Sequence, residues 1–179
     1  MRNTLKNRKF AILITIFVAV LATVFCVYTT ANRYTRRIEA VFYAEGYARQ
    51  GIDPYLKISS NAALGFATCM SGYPELTDKA EKLISAQQEL AVADSISEKS
   101  SAYAKMKDLF AELMDSAINV NLSSQHEEAM ADYNKTFRGA SIAISSSQYN
   151  DKVMEYMDGR SFLIQMASLF LPIKEPAYF

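Results

Sequence analysis

His126 is the chain's only histidine, and Cys26 and Cys69 are its only cysteines. Histidine is the side chain that titrates nearest neutral pH, and clustered His, Cys and carboxylate groups make metal sites. A lone histidine beside Glu127 and Glu128 at a helix start fits a plainer role. It reads as a solvated cap residue, with the two glutamates facing the positive end of the helix dipole. The sequence contains no His-Glu-x-x-His, no Cys pair at metal spacing, no Gly-x-Ser-x-Gly, no Ser-x-x-Lys and no glycine loop for phosphate. Carboxylate pairs for acid–base work need burial and opposed environments, whereas the acidic residues here are expected on polar faces. No catalytic residue, no cofactor and no metal are expected, and the protein is expected not to be an enzyme.

Charge points the same way. Nineteen basic residues balance nineteen acidic ones, so the chain lacks the electrostatic footprint of a nucleic-acid binder. Its 11 tyrosines are many for a helical protein. Tyr34, Tyr43 and Tyr47 read either as an exposed contact stripe near a membrane or, more simply, as packing residues whose rings bury while their hydroxyls stay wet.

The strongest element is at the front. Arg2, Lys6, Arg8 and Lys9 precede Phe10 to Tyr28, which holds no charge, Gly or Pro. Nineteen residues at helical rise span about 28 Å, close to the hydrocarbon core of a bilayer. A cleaved secretory signal is the competing reading. Its apolar core runs only about 7 to 15 residues, however, and Thr29-Thr30-Ala31 is a weak small-x-small site. Cys26 is no lipoprotein cysteine, since Phe25 stands where a small residue is needed. The basic flank favours a cytoplasmic N-terminus. The four N-terminal basics set aside, 15 positive side chains face 19 negative ones, which leaves no basic face for anionic lipid. Cys69 reads as a small buried apolar side chain, with an intermolecular disulfide or a reactive thiol as the alternatives.

Gly and Pro spacing sets the rest of the architecture. Sixty-four residues between Pro74 and Gly139 contain neither, which suits helices and not strands with tight turns. A first exported helix is expected from Ala31 to Gln50, continuing the anchor, with Gly46 as its weak point and Gly51 as its stop. Asp53-Pro54 reads as N-cap and first-turn proline of the next helix, which carries Leu56, Ala63, Leu64, Phe66, Ala67 and Met70. Tyr73-Pro74 restarts or merely kinks a helix with Leu76, Ala80, Leu83, Ile84 and Leu90 on its apolar face. Ser95 with Glu98 makes a capping box before Tyr103, Met106, Leu109, Phe110, Leu113, Ala117 and Val120. Ser124 with Glu127 makes a second, opening a helix expected to run unbroken to Gly159 with Met130, Tyr133, Phe137, Ala140 and Ile144 as its seam. Gly139-Ala140-Ser141 and Ser145-Ser146-Ser147 are small enough for close helix approach, with a functional groove as the minor alternative.

The expected fold is all-α: an antiparallel long-helix bundle of four-helix type preceded by a single N-terminal transmembrane helix. Its parts are a basic cytoplasmic N-terminus (1–9), a transmembrane signal anchor (10–28), an extracytoplasmic helical bundle (32–159) and an apolar C-terminal segment with tail (160–179). Within the last, Phe162 to Leu171 is too short to span a bilayer and either packs on the bundle or meets a membrane or partner.

The order of parts resembles the LemA family, bacterial membrane-anchored helical proteins. After the anchor, Arg36-Arg37-Ile38-Glu39-Ala40 is similar to the start of the family's first long helix, and Arg49-Gln50-Gly51-Ile52-Asp53-Pro54-Tyr55-Leu56 to its basic, Asp-Leu-Ile-Pro-Asn-Leu turn. Tyr149-Asn150-Asp151-Lys152-Val153-Met154-Glu155-Tyr156 resembles its Tyr-Asn-x-x-Val-x-x-Tyr-Asn run. Lys174-Glu175-Pro176-Ala177-Tyr178-Phe179 resembles its Lys-x-x-x-Tyr-Phe ending. The chain departs from the pattern at Arg138-Gly139-Ala140-Ser141, which replaces an acidic-Asn-Arg cluster, and at Tyr156-Met157. The resemblance implies a signal anchor, a long-helix bundle outside the cytoplasm and no established biochemical activity. The functional expectation is an interaction or scaffold module in the cell envelope. Its partners are the lipid bilayer through residues 10–28 and either an envelope protein or a second copy, with no nucleic acid. A ligand-sensing ectodomain that signals through a partner is the alternative.

Overall fold

A computed structural model describes residues 2–45, 51–160, 164, 165, 168 and 171–179. Among them are six α-helices and no strand: α1 (Arg2–Phe42), α2 (Ile52–Met70), α3 (Thr77–Val92), α4 (Ile96–Ala117), α5 (Ser124–Ser145) and α6 (Tyr149–Asp158). The chain divides into two compact units, the described residues of Met1–Glu39 with Met154–Pro176, and those of Ala40–Val153 with Ala177–Phe179.

The first unit contains the apolar N-terminal part of α1. The stretch Phe10–Phe42 is long and apolar enough to cross a membrane, with a mean hydropathy of 2.9 in its most apolar part and none of that part buried. Its hydroxyls are satisfied within the helix, Thr15 Oγ1 donating to the Ala11 carbonyl and Thr23 Oγ1 to that of Ala19, both at 2.9 Å. Such pairing would be required of a helix in a hydrocarbon environment. Farther along α1 the surface changes: Ala31, Thr35 and Ile38 form a buried stripe at helical spacing. Thr35 donates to the Lys174 carbonyl at 2.8 Å, Lys174 pairs with Glu39 at 2.8 Å, and Tyr34 stacks on Tyr156. Arg160 pairs with Glu175. Most of Phe162 to Leu171 lies outside the described residues.

In the second unit α2 packs on both α5 and α3, and α3 on α4. The core is an aromatic ladder. Phe66 of α2 meets Phe110 of α4 at 5.2 Å between ring centroids, and Phe110 lies nearly parallel to Phe137 of α5 at 4.0 Å. Met70, Leu83, Met106 and Leu113 fill the space around these rings without exposure. Tyr103 stacks on Phe137 and also meets Phe179, which in turn touches Phe42. Burial of a phenylalanine contributes about 3 kcal/mol or more by the cost of truncating it, so these rings hold the unit together.

Element ends follow local chemistry, and several correct the sequence reading. The exported helix expected to reach Gln50 ends at Phe42, and residues 46–50, including Gly46 and Tyr47, lie outside the described residues. Gly51, not Asp53, is the N-cap of α2. A β-carbon on Gly51 would collide with the backbone carbonyls of Val41 and Phe42, so only glycine lets the chain pass there. Pro54 falls at the third helical position, where its missing N–H is still no loss. Pro74 does more than kink: residues 71–76 form turns in which the Tyr73 carbonyl accepts from Leu76 and Thr77.

The Ser95–Glu98 capping box is present. The second box is not: Ser123 is the cap of α5, accepting from His126 N at 3.3 Å, and no carboxylate reaches back. The helix expected to run to Gly159 breaks at residues 146–148. There Ser145 and Ser146 bond the carbonyls of Ile142 and Ala143, and Ser147 Oγ accepts from Tyr149 N at 3.3 Å. Serine side chains compete with the backbone ladder, and three in a row end it.

Candidate functional site

His126 is half-buried, not solvated. Its Nδ1 lies 2.7 Å from the Tyr73 hydroxyl, with the two rings edge to face. The same hydroxyl accepts from Ser123 N at 3.2 Å, so Tyr73 ties the turn before α3 to the start of α5. Nothing in the sequence pattern marked Tyr73 for that part. Glu127 and Glu128 are exposed. No group of three His, Cys, Asp or Glu side chains among the described residues is placed to hold a metal ion. Cys69 is a free, half-buried thiol that burial pushes above its ordinary pKa, which lowers its thiolate fraction and its reactivity.

Asp53 is the acidic residue that leaves the polar surface. It is 6% exposed in the first turn of α2 and pairs with Lys57 at 3.0 Å and with Lys99 of α4. Burial pushes its carboxyl up, but hydrogen bonds and charge from Lys99 and Lys57 outweigh burial and hold it below the usual value. The Lys99 ammonium also lies 5.0 Å from the Tyr43 ring centroid and 5.9 Å from that of Phe42. Asp53, Lys57 and Lys99 border a cleft of about 350 Å³ between α2, α3 and α4, where Gln87 donates to Ser60 at 2.9 Å. Tyr43 therefore serves as a cation's partner and Tyr34 as a stacking ring, each in its own unit.

A second constellation joins distant parts of the sequence. Tyr149 Oη donates to the Ala177 carbonyl at 2.7 Å. The Asn150 side chain pairs with the Phe179 backbone in both directions, Nδ2 to the carbonyl at 2.6 Å and Oδ1 from the N–H at 2.9 Å. That pair of hydrogen bonds fixes the Phe179 backbone, and the Phe179 ring lies in the ladder between Phe42 and Tyr103. The Tyr-Asn pair is thus a clamp for the tail.

The third feature is a groove of about 440 Å³ between α4 and α5. These helices meet through their aromatic rings, while the closest backbone approaches are α2 to α5 and α3 to α4. Phe110 and Phe137 form the floor, Met114 and Ile118 one wall, Ser141 and Ile142 the other. Lys107, Asp115 and Arg138 stand at the rim, and no described ion pair involves any of them. Ile118 and Ile142 are 68% and 65% exposed.

Of the small residues of α5, Ala140 is buried in the core on the helix that α2 approaches most closely, whereas Gly139 does not serve close packing. Gly139 faces open space beside a shallow depression lined by Tyr55, Ile58 and Lys135. The glycine that admits a neighbour is Gly65 of α2, where the Tyr133 ring lies so close that a β-carbon would meet it within 2.8 Å. No family model, no curated protein and no solved structure matches the chain.

Proposed function

We propose that this is a LemA-like single-pass membrane protein whose α2–α5 form an antiparallel four-helix bundle outside the cytoplasm, serving as an interaction or scaffold module in the cell envelope. Residues 10–28 lie in the bilayer, and the basic residues before them stay in the cytoplasm. The α4–α5 groove carries this reading. It combines an apolar floor with two large exposed isoleucines and unpaired rim charges, which is the anatomy of a protein-docking surface. The LemA likeness gains support from the clamp, because the two segments that carry it most specifically, Tyr149-Asn150 and the Tyr178-Phe179 ending, are bonded to each other through Asn150 and Phe179.

Photo-crosslinking groups placed at Ile118 and Ile142 of the full chain in intact membranes test the docking surface. Covalent protein adducts are expected from both, and none from Glu81, which is exposed on α3. Equal yields at all three positions would remove the groove from the account. A ligand-sensing ectodomain is the second reading, favoured by the charged cleft over Asp53. It predicts that some class of small charged ligand raises the melting temperature of the full chain, and that Asp53→Asn abolishes the shift.

A further inference from the structure

We propose that the occupant of the α4–α5 groove is a second copy of this chain, docked through antiparallel α4 helices about a two-fold axis at Ala111. The inference rests on the reading of that groove as a docking surface and names its partner.

Its basis is the pattern along one strip of α4. Lys107, Ala111, Asp115 and Ile118 follow one another at helical spacing on the groove side. Ala111 is exposed and small, as a close crossing of two helices requires. Lys107 and Asp115 stand four residues to either side of it, each about 6 Å away along the axis. They carry opposite charge, both are exposed, and neither has an ion-pair partner among the described residues. The remaining contrast lies on the same helix. Lys105 and Glu112, which face α3, are paired with Glu89 and Lys79 at 2.6 and 3.2 Å.

A strip that reads cation, small residue, anion is its own complement when reversed. A two-fold axis at Ala111 sets Lys107 of each copy against Asp115 of the other and makes two equivalent ion pairs, as an isologous contact must. The same operation carries Ile118 of one copy to Ala104 of the other. Residues 118–123 turn the chain so that Phe137 lies against both Tyr103 and Phe110, which sets Ile142 toward that same Ala104 and Lys107 end. The two most exposed isoleucines of the groove then cover each other across the interface. A helix from an unrelated protein would also fill an apolar groove, but it would give no reason for charges placed symmetrically about an alanine.

The test uses the full chain in detergent micelles with Cys26→Ser and Cys69→Ser as background. Ala111→Cys is expected to give a covalent dimer with a short bis-maleimide, and Glu81→Cys is not. Lys107→Glu alone and Asp115→Lys alone should each weaken the dimer about tenfold or more, since each creates two like-charge contacts. The double variant Lys107→Glu/Asp115→Lys should restore it. Linking at Ala111→Cys no faster than at Glu81→Cys overturns the proposal, and so does a double variant that stays monomeric while its circular dichroism melt is unchanged. If Ile118 and Ile142 capture only an unrelated protein in membranes and Ala111→Cys does not link, the second copy is wrong while the docking surface stands. Absence of both results removes the two together.

Discussion

The two sides of α4 solve different problems with one helix. Toward α3 the backbones approach, the apolar residues bury, and Lys79–Glu112 and Lys105–Glu89 close the edge. Toward α5 the contact is carried by rings, Phe110 on Phe137 and Tyr103 on Phe137, and the edge stays open with charges left over. A folding requirement accounts for the first side. The second side keeps a buried aromatic floor under an open edge, the feature on which the proposed docking surface rests.

Breaking that contrast at its centre gives the largest effect. Phe110→Ala removes the ring between Phe66 and Phe137, leaves a cavity under the groove, and is expected to cost about 3 to 5 kcal/mol in a denaturant melt of the full chain. A loss near that of an exposed residue would mean that the ladder is not the core.

Next comes the charge that holds the start of α4 to α2. Asp53→Ala leaves the Lys99 ammonium largely buried without its partner, which costs about 3 kcal/mol by analogy with other broken buried pairs. The sign of the pH dependence follows from the direction of the shift. A carboxyl held below its ordinary value contributes stability that is present above the unfolded pKa and is lost as pH falls through the lower, folded one. Thermal melts should therefore fall as the pH drops below about 4, and Asp53→Asn should flatten part of that slope. The exposed Glu98 carboxyl adds to the slope in the same direction, because hydrogen bonds from Ser95 and Asp94 hold it down too.

The smallest effect separates the two edges of α4 directly. Glu112→Gln breaks an exposed pair and should cost a few tenths of a kcal/mol, whereas Asp115→Asn, which breaks none within the chain, should leave the melt unchanged. A larger loss at Asp115 than at Glu112 in monomeric protein would reverse the assignment of finished and open sides.

The groove residues were legible one at a time but not as a groove. Phe110 and Phe137 stood out as core by their spacing, since a helix buries what recurs at every third or fourth position. Lys107, Ala111 and Asp115 carried no mark, because exposed residues of any type look alike until a neighbouring helix defines which side they border. The same limit explains Asp53. A helix start accepts Asp readily, so the local rule assigned a cap, and only the arrival of Lys99 from 46 residues away makes it the core's one buried carboxylate among the described residues.

By itself the sequence determined the helical class, the apolar stretch from Phe10 to Tyr28 and the Ser95 cap, all of which rest on near neighbours and on the periods of 3 and 4. It also held the clue to the serine break, which local hydrogen bonding decides, although the regular seam concealed it. Tertiary structure alone decided that Gly65 admits Tyr133, that Asn150 holds Phe179 and that one edge of α4 is open. Each depends on which distant segments come to lie together, and no periodicity within a single helix encodes that.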